Sequence, residues 1–145
     1  MFIYRFENKE KEVLYVGKTT MKLNARIVAH LSPSGFLPLE FFKNWTNTYY
    51  TEYESEYEMM IQEILWIGYY KPKYNKQYNM EEKLTRRLEC IIINDKWIPY
   101  NCKENINDFA FVLAHDYYKD TGKIYREHFQ QTSYNFCLCP DNWSK

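Results

Sequence analysis

Apolar positions alternate or run together in two stretches at the start of the chain, Met1 to Phe6 and Glu12 to Lys18, on either side of the charged segment Glu7-Asn8-Lys9-Glu10-Lys11. That pattern predicts two strands joined as a hairpin with a long exposed loop. From Met21 to Leu31 the period changes. Leu23, Ile27 and Leu31 fall on one helical arc, and Lys22, Arg26 and His30 stack beside it, which predicts a helix with a cationic ridge. Thr19 or Thr20 is placed to cap it. Ser32-Pro33-Ser34-Gly35 ends it, because proline cannot continue a helix and glycine frees the turn. A short helix from about Pro38 to Trp45 comes next, with proline suited to its first turn.

Thr48 to Glu54, rich in tyrosine and threonine, predicts a third strand. Ser55-Glu56-Tyr57-Glu58 has the form of a capping box, in which serine and the acid three residues on satisfy free amides at a helix start. The helix should run to Gly68 or Tyr69. On its wheel Glu63 falls between Met59 and Ile67, close to Trp66 and Met60, inside the apolar arc. An ionised carboxylate there is costly unless something compensates it. Two compensations are open: an ion pair with a lysine or arginine at the core edge, or a metal ion at the rim of a pocket. Glu56 and Glu58 suit the positive end of the helix dipole instead.

After Asn79 the chain becomes more charged, and a boundary near 80 divides it into residues 1–79 and a C-terminal α+β extension, residues 80–145, expected to pack on the first. Leu84 to Ile93, Asn94-Asp95 and Lys96 to Tyr100 read as a hairpin over a two-residue turn. Asn107 or Asp108 could cap a helix through Phe111, Leu113 and Tyr118. Tyr125-Arg126-Glu127-His128-Phe129 mixes aromatic and basic character, which suits contact with nucleic acid or plain amphipathic packing. Cys137 and Cys139, with Cys102 and His115 or His128, lack the spacing of a zinc knuckle, so buried free thiols are the expectation for the four cysteines, Cys90 included.

Composition narrows the class. The 145 residues are 46% hydrophobic and 19% aromatic, with fifteen tyrosines, ample material for a core. No run of about 18 apolar residues is present to span a membrane, and the chain opens on a strand pattern instead of a signal segment, so a cytoplasmic protein is expected. Nineteen basic residues balance nineteen acidic ones. A nucleic-acid binder usually shows a basic excess, so any attraction to phosphate must be local.

The ordered set Phe2-Ile3-Tyr4, Tyr15-Val16-Gly17-Lys18, Arg26, His30, Glu63 and Asn75 resembles the GIY-YIG nuclease family over residues 1–79, with Phe2 where the family has its leading glycine. Taken singly, each residue has an ordinary explanation: strand tyrosines in a tyrosine-rich chain, a solvated Arg-His flank, an exposed lysine. The resemblance implies a small, mainly antiparallel three-stranded sheet flanked by helices, an α+β fold. It implies a one-metal endonuclease, in which Glu63 holds a single Mg2+ (or Mn2+) and Arg26 neutralises charge on the scissile phosphate. His30 would hydrogen-bond a tyrosine or help move a proton. Either tyrosine fits the role of general base. Tyr4 is taken as the base here, with Tyr15 orienting water or phosphate. Lys18, Lys22, Lys71 and Lys73 are expected on the substrate backbone. Asn75 is expected among the substrate-side residues too, its amide fixing the loop or a neighbouring strand.

The leading expectation is therefore a stand-alone endonuclease acting on double-stranded DNA. A second is a catalytically silent module on the same scaffold, holding nucleic acid or inhibiting a protein, in line with the neutral charge and the acidic alternation Glu52, Glu54, Glu56, Glu58. A third is a nuclease subunit that docks a protein partner or a second copy through residues 80–145, favoured by an exposed aromatic patch at Trp97, Tyr100 or Trp143.

Overall fold

The computed structural model describes residues 1–31, 35–92 and 96–105. The helix expected after Asn107 or Asp108, the Tyr125–Phe129 segment, Cys137, Cys139 and Trp143 lie outside them, as does the Asn94-Asp95 turn.

The first two strands, β1 (Phe2–Glu7) and β2 (Val13–Thr19), form the expected antiparallel hairpin. Asn8 organises the loop between them. Its side-chain oxygen accepts from the Glu12 amide at 2.9 Å and its Nδ2 donates to the Glu12 carboxylate at 2.8 Å. Lys11, with φ of 66°, takes the left-handed conformation that reverses the chain. Helix α1 (Leu23–Leu31) starts two residues later than its pattern suggests. The reason is local: the Thr19 hydroxyl accepts from the Met21 amide at 3.0 Å and so shapes the turn after β2 instead of capping a helix. The short helix α2 (Leu39–Asn44) follows, then β3 (Asn47–Glu52), which pairs antiparallel with the other side of β1.

Helix α3 (Glu56–Tyr70) begins where the capping-box pattern places it. Ser55 is extended and its hydroxyl accepts from the Glu58 amide, while Lys71 closes the far end in a left-handed conformation with its N–H on the Ile67 carbonyl. Beyond it the expected hairpin does not form. Arg86–Ile92 is a helix, α4, and only Ile98–Pro99 pairs as a strand, β4, against β3. Tertiary packing overrides the β-rich composition here. Leu84 and Leu88, four residues apart, both pack against the core, and the Glu89 amide donates to the Thr85 carbonyl, a helical spacing. Among the described residues the sheet thus has four strands in the order β2-β1-β3-β4 rather than the expected three. A two-residue strand containing proline leaves no alternation to read. A last short helix, α5, spans Cys102–Asn105.

The chain divides into two compact units. The first comprises Met1–Leu23 and Asn44–Asn101. Its core joins Ile3 and Val16 of the sheet to Met59, Leu65, Trp66 and Ile67 of α3, with Leu84, Leu88 and Trp97 packed against them. Fully burying each large apolar side chain of this kind is worth roughly 1.5–3 kcal/mol. Met60, which lies on the predicted apolar arc of α3, is exposed, so the buried stripe is narrower than the arc. Among its described residues the second unit holds α1 from Asn24, α2 and α5, with Ile27, Phe41 and Phe42 buried. Cys102 is buried as expected, whereas Cys90 is exposed. Among the described residues no helix is long and apolar enough to cross a membrane.

Candidate active site

Four consecutive residues of β2, Tyr15 to Lys18, organise the site. The β1–β2 register sets Tyr4 opposite Gly17 and Phe6 opposite Tyr15, so the period of two puts Tyr4, Phe6 and Tyr15 on one face of the sheet. Their rings pack together. Tyr4 and Tyr15 have centroids 6.3 Å apart, and Phe6 lies 5.4 Å from Tyr4, 6.1 Å from Tyr15 and 4.8 Å from Trp45. Both tyrosines are buried. A Cβ at position 17 would come within 2.4 Å of the Tyr4 hydroxyl oxygen and 2.9 Å of Tyr15 Cε1. Glycine there makes room for the phenol of Tyr4, a more specific reason than close approach of a substrate.

The neighbours of Gly17 point to the opposite face, where α3 packs. Lys18 Nζ lies 2.6 Å from Glu63 Oε2, and both side chains are largely shielded from solvent, Glu63 at 12% exposure and Lys18 at 35%. The carboxylate inside the apolar arc of α3 is therefore compensated by a lysine, the first of the two options left open by the sequence. Lys18 is thus ion-paired and only partly solvated in this state. Val16 meets Asn75: the Asn75 side-chain oxygen accepts from the Val16 amide and its Nδ2 donates to the Val16 carbonyl, each at 2.8 Å. The Tyr74 amide adds a bond to the Leu14 carbonyl. Asn79 in turn holds the loop, donating to the carbonyls of Pro72 and Asn75. Tyr4 thus meets Tyr15–Lys18 on one face of the sheet, Glu63 meets it on the other, and Asn75 meets it along the strand's outer edge.

The other expected residues are set by their own elements. Arg26 is half-buried on α1 and His30 is buried near the end of that helix, its ring edge-on to Phe36 at 5.6 Å. Burial, reinforced by the positive charge of Arg26, pushes the His30 imidazole down to about 4. It is neutral at physiological pH, which suits a hydrogen-bonding role and makes it a poor proton donor. Lys22 is exposed just ahead of α1. Lys73 is exposed with its ammonium 5.3 Å from the Tyr74 ring. Lys71 donates to the backbone carbonyls of Met80 and Glu82, fastening the chain after α3.

Sequence reasoning missed a second polar cluster on the α3 side of the sheet. Arg5 donates to the Tyr70 hydroxyl at 2.6 Å and pairs with Glu7 at 2.8 Å, and its guanidinium lies 4.6 Å from the ring centres of Tyr49 and Trp97. Burial raises the Tyr70 phenol above its ordinary range, against the opposing pull of Arg5. The available signal was alternation, which puts Arg5 and Glu7 on the same face as Ile3. Such contacts involve two of the three aromatics considered for an exposed patch, and both are half-buried. Trp97 packs against Trp66 and Arg5, and Tyr100 packs edge-on against Tyr50.

Among the described residues no three His, Cys, Asp or Glu side chains converge, and the expected ligand is the carboxylate of Glu63. One carboxylate with retained water is how proteins commonly hold magnesium, and it is too few ligands for a structural zinc site. The donor set fits a magnesium-like ion.

An α+β domain whose antiparallel hairpin stacks two tyrosines beside a glycine, with a helix glutamate reaching the next residue, defines a particular catalytic scaffold. The family model of the GIY-YIG catalytic domain matches residues 1–79, more than half of the chain, and the chain belongs to that nuclease family. No curated protein and no solved structure matches it.

Proposed function

We propose that this chain is a metal-dependent endonuclease that hydrolyses phosphodiester bonds of double-stranded DNA. The observation that supports it most is that one short stretch of β2, Tyr15–Lys18, carries the contacts of Tyr4, Glu63 and Asn75 in a chain that belongs to this family. A magnesium or manganese ion on Glu63 would supply the positive charge that a phosphate oxygen and the departing sugar oxygen need in the transition state. Tyr4, once its phenol has given up its proton, would take the proton of the attacking water as a phenolate, and Tyr15, stacked close by, would orient that water or the phosphate. Arg26 is assigned from its place in the sequence: its planar guanidinium can donate two parallel N–H bonds to the phosphate. His30 acts as a neutral hydrogen-bonding group. Lys22 and Lys73 contact the DNA backbone, while Lys71 contributes through the loop it fastens. Asn75 keeps β2 in place under the site. Residues 1–79 form the cutting domain, and residues 80–145 are an extension that adds contacts or docks a partner or second copy in the cytoplasm.

A closed Lys18–Glu63 pair is also what a catalytically silent member of the family would retain, so activity has to be measured. The test is cleavage of supercoiled plasmid and of labelled single strands with magnesium or manganese, comparing the native chain with Glu63→Ala at equal helical signal. Cutting that is lost in chelator and falls at least about a thousandfold in Glu63→Ala is expected, since a transition-state contact of about 4 kcal/mol is removed. A native chain that cuts neither substrate would overturn the reading in favour of the silent module.

A further inference from the structure

We infer that Lys18 is a placeholder cation: its ammonium holds the Glu63 carboxylate in the seat of the divalent ion and must leave when that ion binds. The inference rests on the reading of Glu63 as the metal ligand and adds a second role for Lys18. Three observations carry it. Glu63 sits at 12% exposure among Met59, Trp66 and Ile67, where an uncompensated carboxylate would be costly in the metal-free protein. Lys18 reaches Oε2 at 2.6 Å, so its ammonium already occupies one acceptor site of the carboxylate, and its charge repels a divalent ion that would sit about 2.1 Å from the same group. Lys18 keeps about a third of its side chain in contact with solvent, so a displaced ammonium has water to enter.

The residue type matters as well. An ammonium is a compact charge on a flexible stem, able to swing away, whereas an arginine fork would grip the carboxylate with two bonds. The arrangement keeps the glutamate rotamer in place before the metal arrives. Its consequence is competition: the intrinsic affinity of Glu63 for the ion is reduced by the free energy of the Lys18 contact.

Manganese binding without DNA tests this, by calorimetry or by loss of the free-ion paramagnetic signal, so that no turnover is involved. Lys18→Gln and Lys18→Met should each bind manganese about tenfold tighter than the native chain, the equivalent of one charge-assisted hydrogen bond. Glu63→Gln should bind at least about tenfold more weakly. Thermal unfolding of each variant checks that the fold is kept, and two different replacements guard against one that misfolds. Unchanged or weaker binding in both Lys18 variants, with binding still lost in Glu63→Gln, overturns the placeholder and leaves the metal reading standing. Binding that survives Glu63→Gln, or none in any variant, overturns both.

Discussion

The α3 side of the sheet and helix α1 both bury ionisable groups, and they do it by opposite routes. On the sheet, charges persist because each has a partner: Arg5 with Glu7 and Tyr70, Lys18 with Glu63. On α1 the two neighbouring groups, Arg26 and His30, would carry the same sign, and the buried imidazole gives up its charge instead. A low-dielectric setting permits either solution, since it penalises an isolated charge far more than a pair or a neutral ring. The lesson concerns chemistry. Paired charges can be exchanged for an incoming ion or phosphate, whereas a neutral ring can only direct a hydrogen bond.

Breaking a pair should have the largest effect. Arg5→Leu leaves the Glu7 carboxylate buried without its cation and removes the bond to Tyr70, and is expected to lower stability by about 3–5 kcal/mol in urea unfolding. The double change Arg5→Leu with Glu7→Leu should recover much of that, and a double variant no better than the single one would refute the pairing account.

Acid should act next, through His30. Between its ordinary value of 6.5 and its folded value of about 4, the unfolded chain binds the proton and the folded chain does not, so stability rises with pH in that window. Acidification from pH 6.5 to 4 should therefore remove up to about 3 kcal/mol, with no further His30 effect below that. Urea midpoints across this range, with His30→Gln flattening the slope, check the assignment. An identical slope in the variant would place the acid sensitivity elsewhere.

The smallest effect should come from Arg26→Gln. Desolvation is the larger cause of the His30 shift and the charge of Arg26 the smaller, so imidazole titration followed by NMR should move back toward 6.5 by less than half of the way. A full return would mean that charge, not burial, keeps the ring neutral.

These particulars show what was readable beforehand. The hairpin, the capping of α3 by Ser55 and the odd position of Glu63 were legible because each is local, carried by period, cap chemistry or a polar residue in an apolar arc. The partner of Glu63 was narrowed to a lysine, an arginine or a metal but not named, since Lys18 is 45 residues away and only the packing of α3 on β2 joins them. Helix α4 was misread as a strand because its isoleucines favour strands, while the helical spacing of Leu84 and Leu88 gains meaning only against the core they pack on. The Arg5 cluster was missed for a similar reason. Its rings come from Tyr49, Tyr70 and Trp97, far apart in the chain, and no local pattern links them.

Asn75 has a consequence beyond the site it supports. β2 is the outermost strand, and a strand in that position ordinarily presents free amides and carbonyls to any extended chain that drifts past. The side chain of Asn75 saturates both backbone groups of Val16, and Tyr74 takes the carbonyl of Leu14. One asparagine 59 residues downstream thus takes up outward backbone groups at the middle of this strand and leaves less of a tyrosine-rich edge open to pairing with another chain.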